Sequence, residues 1–167
     1  IQRFYSGKTF NYHEAPVKLQ EKSAQMLARI HIATKDMIPF PVGIGEQFFQ
    51  YRKPEYMEET YKQTLELARL NNDTVIVDRI KTIMKLIEKF PKYTFDISKF
   101  TVGNTHGDYM ISQIVWDNDE IMGVIDWTTA CRHPYIWEIV RSYVFMAPEC
   151  KNGEINIEAL INYIKSY

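Results

Sequence analysis

Two carboxylates in this chain stand where a residue chosen only for packing would not. Asp108 closes the triplet His106-Gly107-Asp108, and Asp126 comes directly after the apolar run Ile121-Met122-Gly123-Val124-Ile125, although carboxylates are costly to dehydrate. The segment between them reads as a short strand pair, which can hold one polar side chain at the loop that enters it and another at its exit. Asp108 and Asp126 could therefore converge. Carboxylates packed together repel one another unless a cation sits between or beside them. Mg²⁺ suits such a site, because it takes few carboxylates and fills its octahedron with water and phosphate oxygens. Gln113, five residues after Asp108, adds a side-chain carbonyl that can also ligate. The plainer reading, commoner for an isolated aspartate, is that Asp108 caps a turn after Gly107 and Asp126 caps a loop after its strand.

A second motif fails on inspection. Gly7-Lys8-Thr9 looks like the tail of a phosphate-binding loop, but that pattern needs glycine at position 2, where Gln2 stands, with a strand before and a helix after. A turn in a linker is the expectation there.

The elements that would position the carboxylates are mostly helical. Leu19, Met26, Leu27, Ile30 and Ala33 follow helical spacing within Pro16 to Thr34. The glycines and prolines of Asp36 to Pro54 predict an extended connection. Two further helices are predicted, about Glu55 to Leu70 and about Asp73 to Phe90, the latter ended by Pro91. The period then shortens. Gln113 to Trp116, the turn-prone Asp117-Asn118-Asp119, and Glu120 to Ile125 predict a β-hairpin. A helix from about Pro134 to Met146 should follow, and Asn156 reads as the N-cap of another. The expected class is therefore α+β, mainly helical, with a small hairpin at the site.

His106-Gly107-Asp108, the amide at Gln113, the apolar hairpin, and Ile125-Asp126-Trp127 followed by Pro134 together resemble the aminoglycoside phosphotransferase and choline kinase family. That family's fold is similar to that of protein kinases, and its pattern runs roughly HGD-x4-N, a strand pair, then IDW or IDF and a proline-containing segment ending near an aspartate. The resemblance is specific over Thr105 to Trp127 and looser from Pro16 to about Met146, through a helix at Leu27-Ala28-Arg29-Ile30-His31. It implies an enzyme that moves the γ-phosphate of Mg·ATP to a hydroxyl of a small molecule. Asp108 would accept the hydroxyl proton, His106 would orient the loop, and Asp126 would hold Mg²⁺ against the ATP phosphates, with Gln113 in the place of the family's asparagine. Glutamine is one methylene too long for that place, and octahedral Mg²⁺ tolerates little slack, which also admits a catalytically weak or dead relative that binds a ligand or partner. Thr128 stands where many members carry an acid, and Glu138 near their aspartate after the proline. A kinase of this kind also needs a phosphate-covering loop and a strand lysine, which nothing here supplies. Residues 1–15 would then be the connection from a missing nucleotide-binding lobe, and 16–167 the helical, substrate-binding and catalytic lobe. The start at Ile1 and the abrupt finish at Tyr167 fit a fragment, one expected to be inactive by itself.

Bulk properties bound the partners. With 167 residues, 46% hydrophobic, the chain can bury one sizeable core. Twenty basic against 21 acidic residues give no electrostatic case for nucleic acid or an anionic membrane. Cys131 and Cys150 form no CxxC pair, which fits a reducing cytoplasm. The acceptor stays open among aminoglycoside, choline and homoserine-like compounds. Glu55, Glu58, Glu59 and Glu149 could line a pocket for a polyamine, though Glu58 and Glu59 read better as a solvated helix face. Trp127, Tyr135, Trp137 and Tyr143 could cage a quaternary ammonium, though aromatics at helical spacing are more often core.

Overall fold

The computed structural model describes residues 5–40, 54–89 and 99–167. The expected connection over 41–53 and the helix end at Phe90 and Pro91 lie outside them. The chain divides into two compact units, residues 1–45 with 97–167, and residues 46–96.

The smaller unit is a helical hairpin. In it α2 (Pro54–Leu70) and α3 (Thr74–Lys89) pack together and bury Ala68 and Ile80. Asn72, at a φ of 55°, makes the left-handed bend between them, and Asp73 starts α3 by accepting from the Ile76 N–H at 3.0 Å. Glu58 and Glu59 are exposed on α2, and Lys62 pairs with Glu58, as a solvated face would have it.

The larger unit is organised by α1 (Val17–Thr34), whose buried face of Leu19, Ser23, Ala24, Leu27, Ile30, His31 and Thr34 keeps Leu19, Leu27 and Ile30 of the set read from the sequence, whereas Met26 is half-buried and Ala33 exposed. That face packs on β1 (Val102–Thr105), β3 (Glu120–Val124), α4 (Tyr135–Met146) and α5 (Ile157–Ser166). The shared core also takes Tyr109, Ile111, Ile114 and Trp116 from the segment carrying the site, and Tyr143, Met146 and Tyr163 from α4 and α5. Asn156 does cap α5, accepting from the Ala159 N–H at 3.1 Å.

Two antiparallel strand pairs frame the site. β2 (Ile114–Asp117) and β3 form the expected hairpin. Its turn is two residues, Asn118-Asp119, both left-handed with φ of 46° and 64°, whereas Asp117 remains in the ladder opposite Glu120. Lys18 and Lys22 of α1 pair with Asp119 and Glu120 at the tip. The second pair, β1 with β4 (Cys131–Pro134), was not expected, because four residues reading Cys131-Arg132-His133-Pro134 carry no alternation. Its register, Val102 opposite Pro134 and Thr105 opposite Cys131, sets Thr101 beside the start of α4, where its carbonyl accepts from the Tyr135 N–H at 3.0 Å, and the residues after β1 beside Thr129. Gly103 is needed in it, since a Cβ there would lie 1.9 Å from the Tyr135 hydroxyl.

The failed phosphate-loop motif has a structural explanation. Lys8 exchanges two backbone hydrogen bonds with Trp116, at 2.9 and 2.8 Å, on the outer edge of β2. Gly7 has a φ of 134°, and a Cβ on it would sit 2.8 Å from the Trp116 carbonyl oxygen. The glycine thus serves strand docking. No described helix is long and apolar enough to cross a membrane.

Buried phenols join the helices. Tyr109 donates to the Ser23 carbonyl at 3.0 Å, and the Tyr163 hydroxyl lies 2.6 Å from Ser142 Oγ. Burial pushes the Tyr109 phenol well up and the Tyr163 phenol up to about 12. These groups fold neutral, so their contribution to stability is complete below the unfolded tyrosine value of about 10 and is lost as pH rises from there toward about 12. Alkaline titration followed by circular dichroism and tyrosinate absorbance should show helix loss together with a cooperative release of tyrosinate inside that window. A smooth titration near pH 10 with the helical signal intact would show these phenols to be accessible.

Candidate active site

The triplet His106-Gly107-Asp108 follows β1 directly, and its path is dictated by hydrogen bonds and close packing. Gly107 has a φ of 82°, and a Cβ on it would lie 2.0 Å from the Thr129 carbonyl oxygen, so both conformation and space require glycine. Glu138, in the first turn of α4 and only 3% exposed, accepts from the backbone N–H of Gly107 at 2.6 Å through Oε1 and of His106 at 3.3 Å through Oε2. The same Oε2 is 2.8 Å from His31 Nε2 of α1. An ionised carboxylate only accepts, so His31 Nε2 carries a hydrogen, and Nδ1 at 2.7 Å faces the Tyr167 hydroxyl. His31 is also stacked on Tyr135, centroids 4.1 Å apart. Burial of the carboxylate is therefore compensated by three donors from α1 and the loop.

His106 is fully buried, and both its ring nitrogens meet backbone. Nε2 donates to the Ile125 carbonyl at 2.9 Å, and Nδ1 accepts from the Asp108 N–H at 3.3 Å. The ring lies 4.5 Å from that of Trp127, whose Nε1 donates to the Val124 carbonyl. This histidine is thus a strut between the loop and the end of β3. It has no nitrogen left for a substrate.

Gln113 and Asp126 flank the open end of the hairpin. The Gln113 carbonyl accepts from the Ile125 N–H at 2.9 Å, closing the ladder one residue before Asp126. The Gln113 side chain is half-buried. Asp126 is exposed and left-handed, with φ 60° and ψ 64°, a conformation that aspartate tolerates better than most residues but at a cost of about 1–3 kcal/mol. Its Oδ1 accepts from Thr128 Oγ1 at 2.5 Å, which leaves Oδ2 open. The Gln113 and Asp126 main chains thus stand at one hairpin end, with one Asp126 carboxylate oxygen open. Among the described residues no three His, Cys, Asp or Glu side chains gather into a closed metal cage.

Asp108 itself is a quarter exposed, and its Oδ1 lies 2.6 Å from Nη2 of Arg141 on α4. Sequence reasoning missed Arg141. The available signal was its spacing, because it stands one helical turn after Glu138, so that successive turns of α4 meet the loop backbone and then the Asp108 carboxylate. His31 was quoted only as part of a helix. Nothing in its surroundings in the sequence marks it as a partner of Glu138. The proposed aromatic cage does not assemble: Tyr143 is fully buried and donates to Glu149 at 2.7 Å, Tyr135 stacks on His31, and Trp127 packs on His106.

A family model described as the phosphotransferase enzyme family matches residues 3–157. No curated protein matches the chain. Among solved structures, amicoumacin kinase in complex with AMP-PNP, Ca²⁺ and Ami aligns over 98% of this chain and 46% of its own, at 13% identity and a TM-score of 0.51, which is a likeness of fold. A macrolide 2′-phosphotransferase from Brachybacterium faecium aligns over 98% and 52%, at 15% identity and 0.42. A spectinomycin phosphotransferase in complex with ADP aligns over 98% and 55%, at 16% and 0.40. The chain spans about half the length of these structures.

The hydrogen bonds of Glu138 make a direct prediction. In Glu138→Gln an amide NH₂ must face donors that the carboxylate accepts, leaving at least one buried group unpaired. Urea denaturation should show a loss of about 2–4 kcal/mol with an unchanged m-value. A loss under about 0.5 kcal/mol, the range of ordinary surface substitutions, would mean that the carboxylate does not hold the loop.

Proposed function

The chain belongs to the phosphotransferase enzyme family, and from that we propose that it forms the catalytic, acceptor-side lobe of an enzyme moving the γ-phosphoryl group of Mg·ATP to a hydroxyl of a small molecule. The observation that supports this most is the His106 strut. By joining the loop of Asp108 to the Ile125 carbonyl, it hangs the two carboxylates on backbone segments locked to one another. Nucleotide would be bound with a preceding lobe, from which residues 1–15 lead, so that this chain alone would turn over no ATP. Cys131 and Cys150, both buried and not joined in a disulfide, fit a reducing cytoplasm.

In this reading Asp108 receives the acceptor's hydroxyl at Oδ2, since Arg141 occupies Oδ1. The acceptor oxygen bonds to the γ-phosphorus while the bond from that phosphorus to the bridging oxygen breaks. ADP leaves with the electron pair, and the hydroxyl proton passes to the Asp108 carboxylate and then to solvent. His106 holds the Asp108 backbone through Nδ1 and moves no proton. Asp126 and Gln113 would hold Mg²⁺, which when bound neutralises charge on the phosphate oxygens. The left-handed backbone at Asp126 fixes the direction of its carboxylate before any ligand arrives.

Gln113 separates this reading from that of a weak or inactive relative. In the full-length protein, Asp108→Asn should abolish transfer while nucleotide binding stays nearly intact, whereas Asp126→Ala should damage metal-dependent nucleotide binding too. Gln113→Asn should hold or raise activity and lower the Mg²⁺ needed. A rate indifferent to both Gln113→Asn and Gln113→Ala would remove Gln113 from the metal site. Unchanged turnover in Asp108→Asn would remove the whole reading.

A further inference from the structure

We infer that the acceptor carries an anionic group beside its reacting hydroxyl, and that Arg141 selects it. The inference rests on the transfer reading above and narrows it to a substrate class. Arg141 is ion-paired with Asp108, its Nη2 2.6 Å from Oδ1, and its guanidinium carries five N–H donors in a planar fork. The guanidinium carbon lies 5.1 Å from the Phe145 ring centre, one helical turn further along α4, which gives the plane a resting surface without consuming donors. Its side chain, like that of Asp108, is partly open to solvent, 22% against 25% exposed. A hydroxyl accepted at Oδ2 would bring its neighbouring substituents within reach of the remaining N–H groups.

The sign of the charge decides what those substituents can be. A carboxylate or a phosphate ester offers two oxygens to the fork and gains charge-assisted hydrogen bonds. An ammonium in the same place meets a like charge, and the aspartate that could offset the repulsion is already shared with Arg141. The site as built therefore disfavours polycationic acceptors.

The test uses the full-length protein and matched acceptor sets: hydroxycarboxylic acids, their neutral amides, the corresponding amino alcohols, and hydroxyl-bearing phosphate monoesters. ADP release gives kcat/KM, and calorimetry gives binding. Wild type should favour one of the two anionic classes over the neutral analogue on the order of tenfold or more, and the class with the larger ratio names the anion. Arg141→Gln should bring that ratio close to one, while Arg141→Lys, which keeps a charge but not the fork, should fall between. A ratio equal in wild type and folded Arg141→Gln overturns the inference. So does a wild type that prefers the amide or the amine, which needs no variant to be read. Transfer without anion preference would leave the phosphotransferase reading standing and remove this one; Arg141-dependent binding of an anion that is never phosphorylated would do the reverse.

Discussion

The buried Glu138 carboxylate is the interaction on which the rest of the larger unit depends. It gathers His31 from α1 and two N–H groups from the loop after β1, from a position in the first turn of α4, and Tyr167 closes the other side of His31. Removing such a charge from water costs several kcal/mol, and only a full set of donors offsets it. The three donors come from two stretches of chain, α1 and the loop after β1, so the carboxylate is stable only when both are in place. Apolar burial holds α1 against α4 and α5 but is non-directional. Hydrogen bonds to two successive amides give that packing a register.

With the loop fixed by Glu138, a second constraint follows from backbone conformation. Gly107 and Asp126 are both left-handed, and each sits where the chain leaves a strand to expose a carboxylate. Gly107 bends toward Thr129 so closely that any side chain would collide, and Asp126 bends with a side chain that Thr128 steadies. His106 spans the two bends, donating to one segment and accepting from the other. The order of dependence runs from carboxylate to loop, from loop to imidazole, and from imidazole to the end of β3.

Much of this was legible in the sequence because it rests on local patterns. Helical spacing located α1, α2, α4 and the start of α3 to within a residue, the Asn156 cap is a one-residue signal for α5, and alternating apolar residues marked the hairpin. Asp108, Gln113 and Asp126 stood out as candidates because their types and spacing are unusual for packing. What stayed hidden depends on distant pairing. β1 and β4 stabilise one another across 26 residues from Thr105 to Cys131, and neither has a pattern of its own. His31 and Glu138 are 107 residues apart, and Arg141 looks like any polar residue on a helix until α4 is laid against the loop. The turn was misjudged by one residue for a related reason: three consecutive polar residues look alike, and only the cross-strand partner of Asp117 decides which two of them turn.

The site therefore contains two kinds of position. His106, Gly107 and Glu138 are held by backbone geometry, through two ring nitrogens, a missing Cβ and two carboxylate oxygens that all meet main chain. No other side chain satisfies such requirements without moving the loop. Gln113 and Arg141 are different, since the Gln113 backbone completes the ladder through its carbonyl, which any residue possesses, and Arg141 reaches Asp108 only by its tip. Their identities are not dictated by the fold. A glutamine where the related pattern has asparagine, and a cation against Asp108, are thus residues the scaffold can carry at little structural cost. On the transfer reading, they are the positions at which metal and acceptor would be selected while the loop and hairpin keep one geometry.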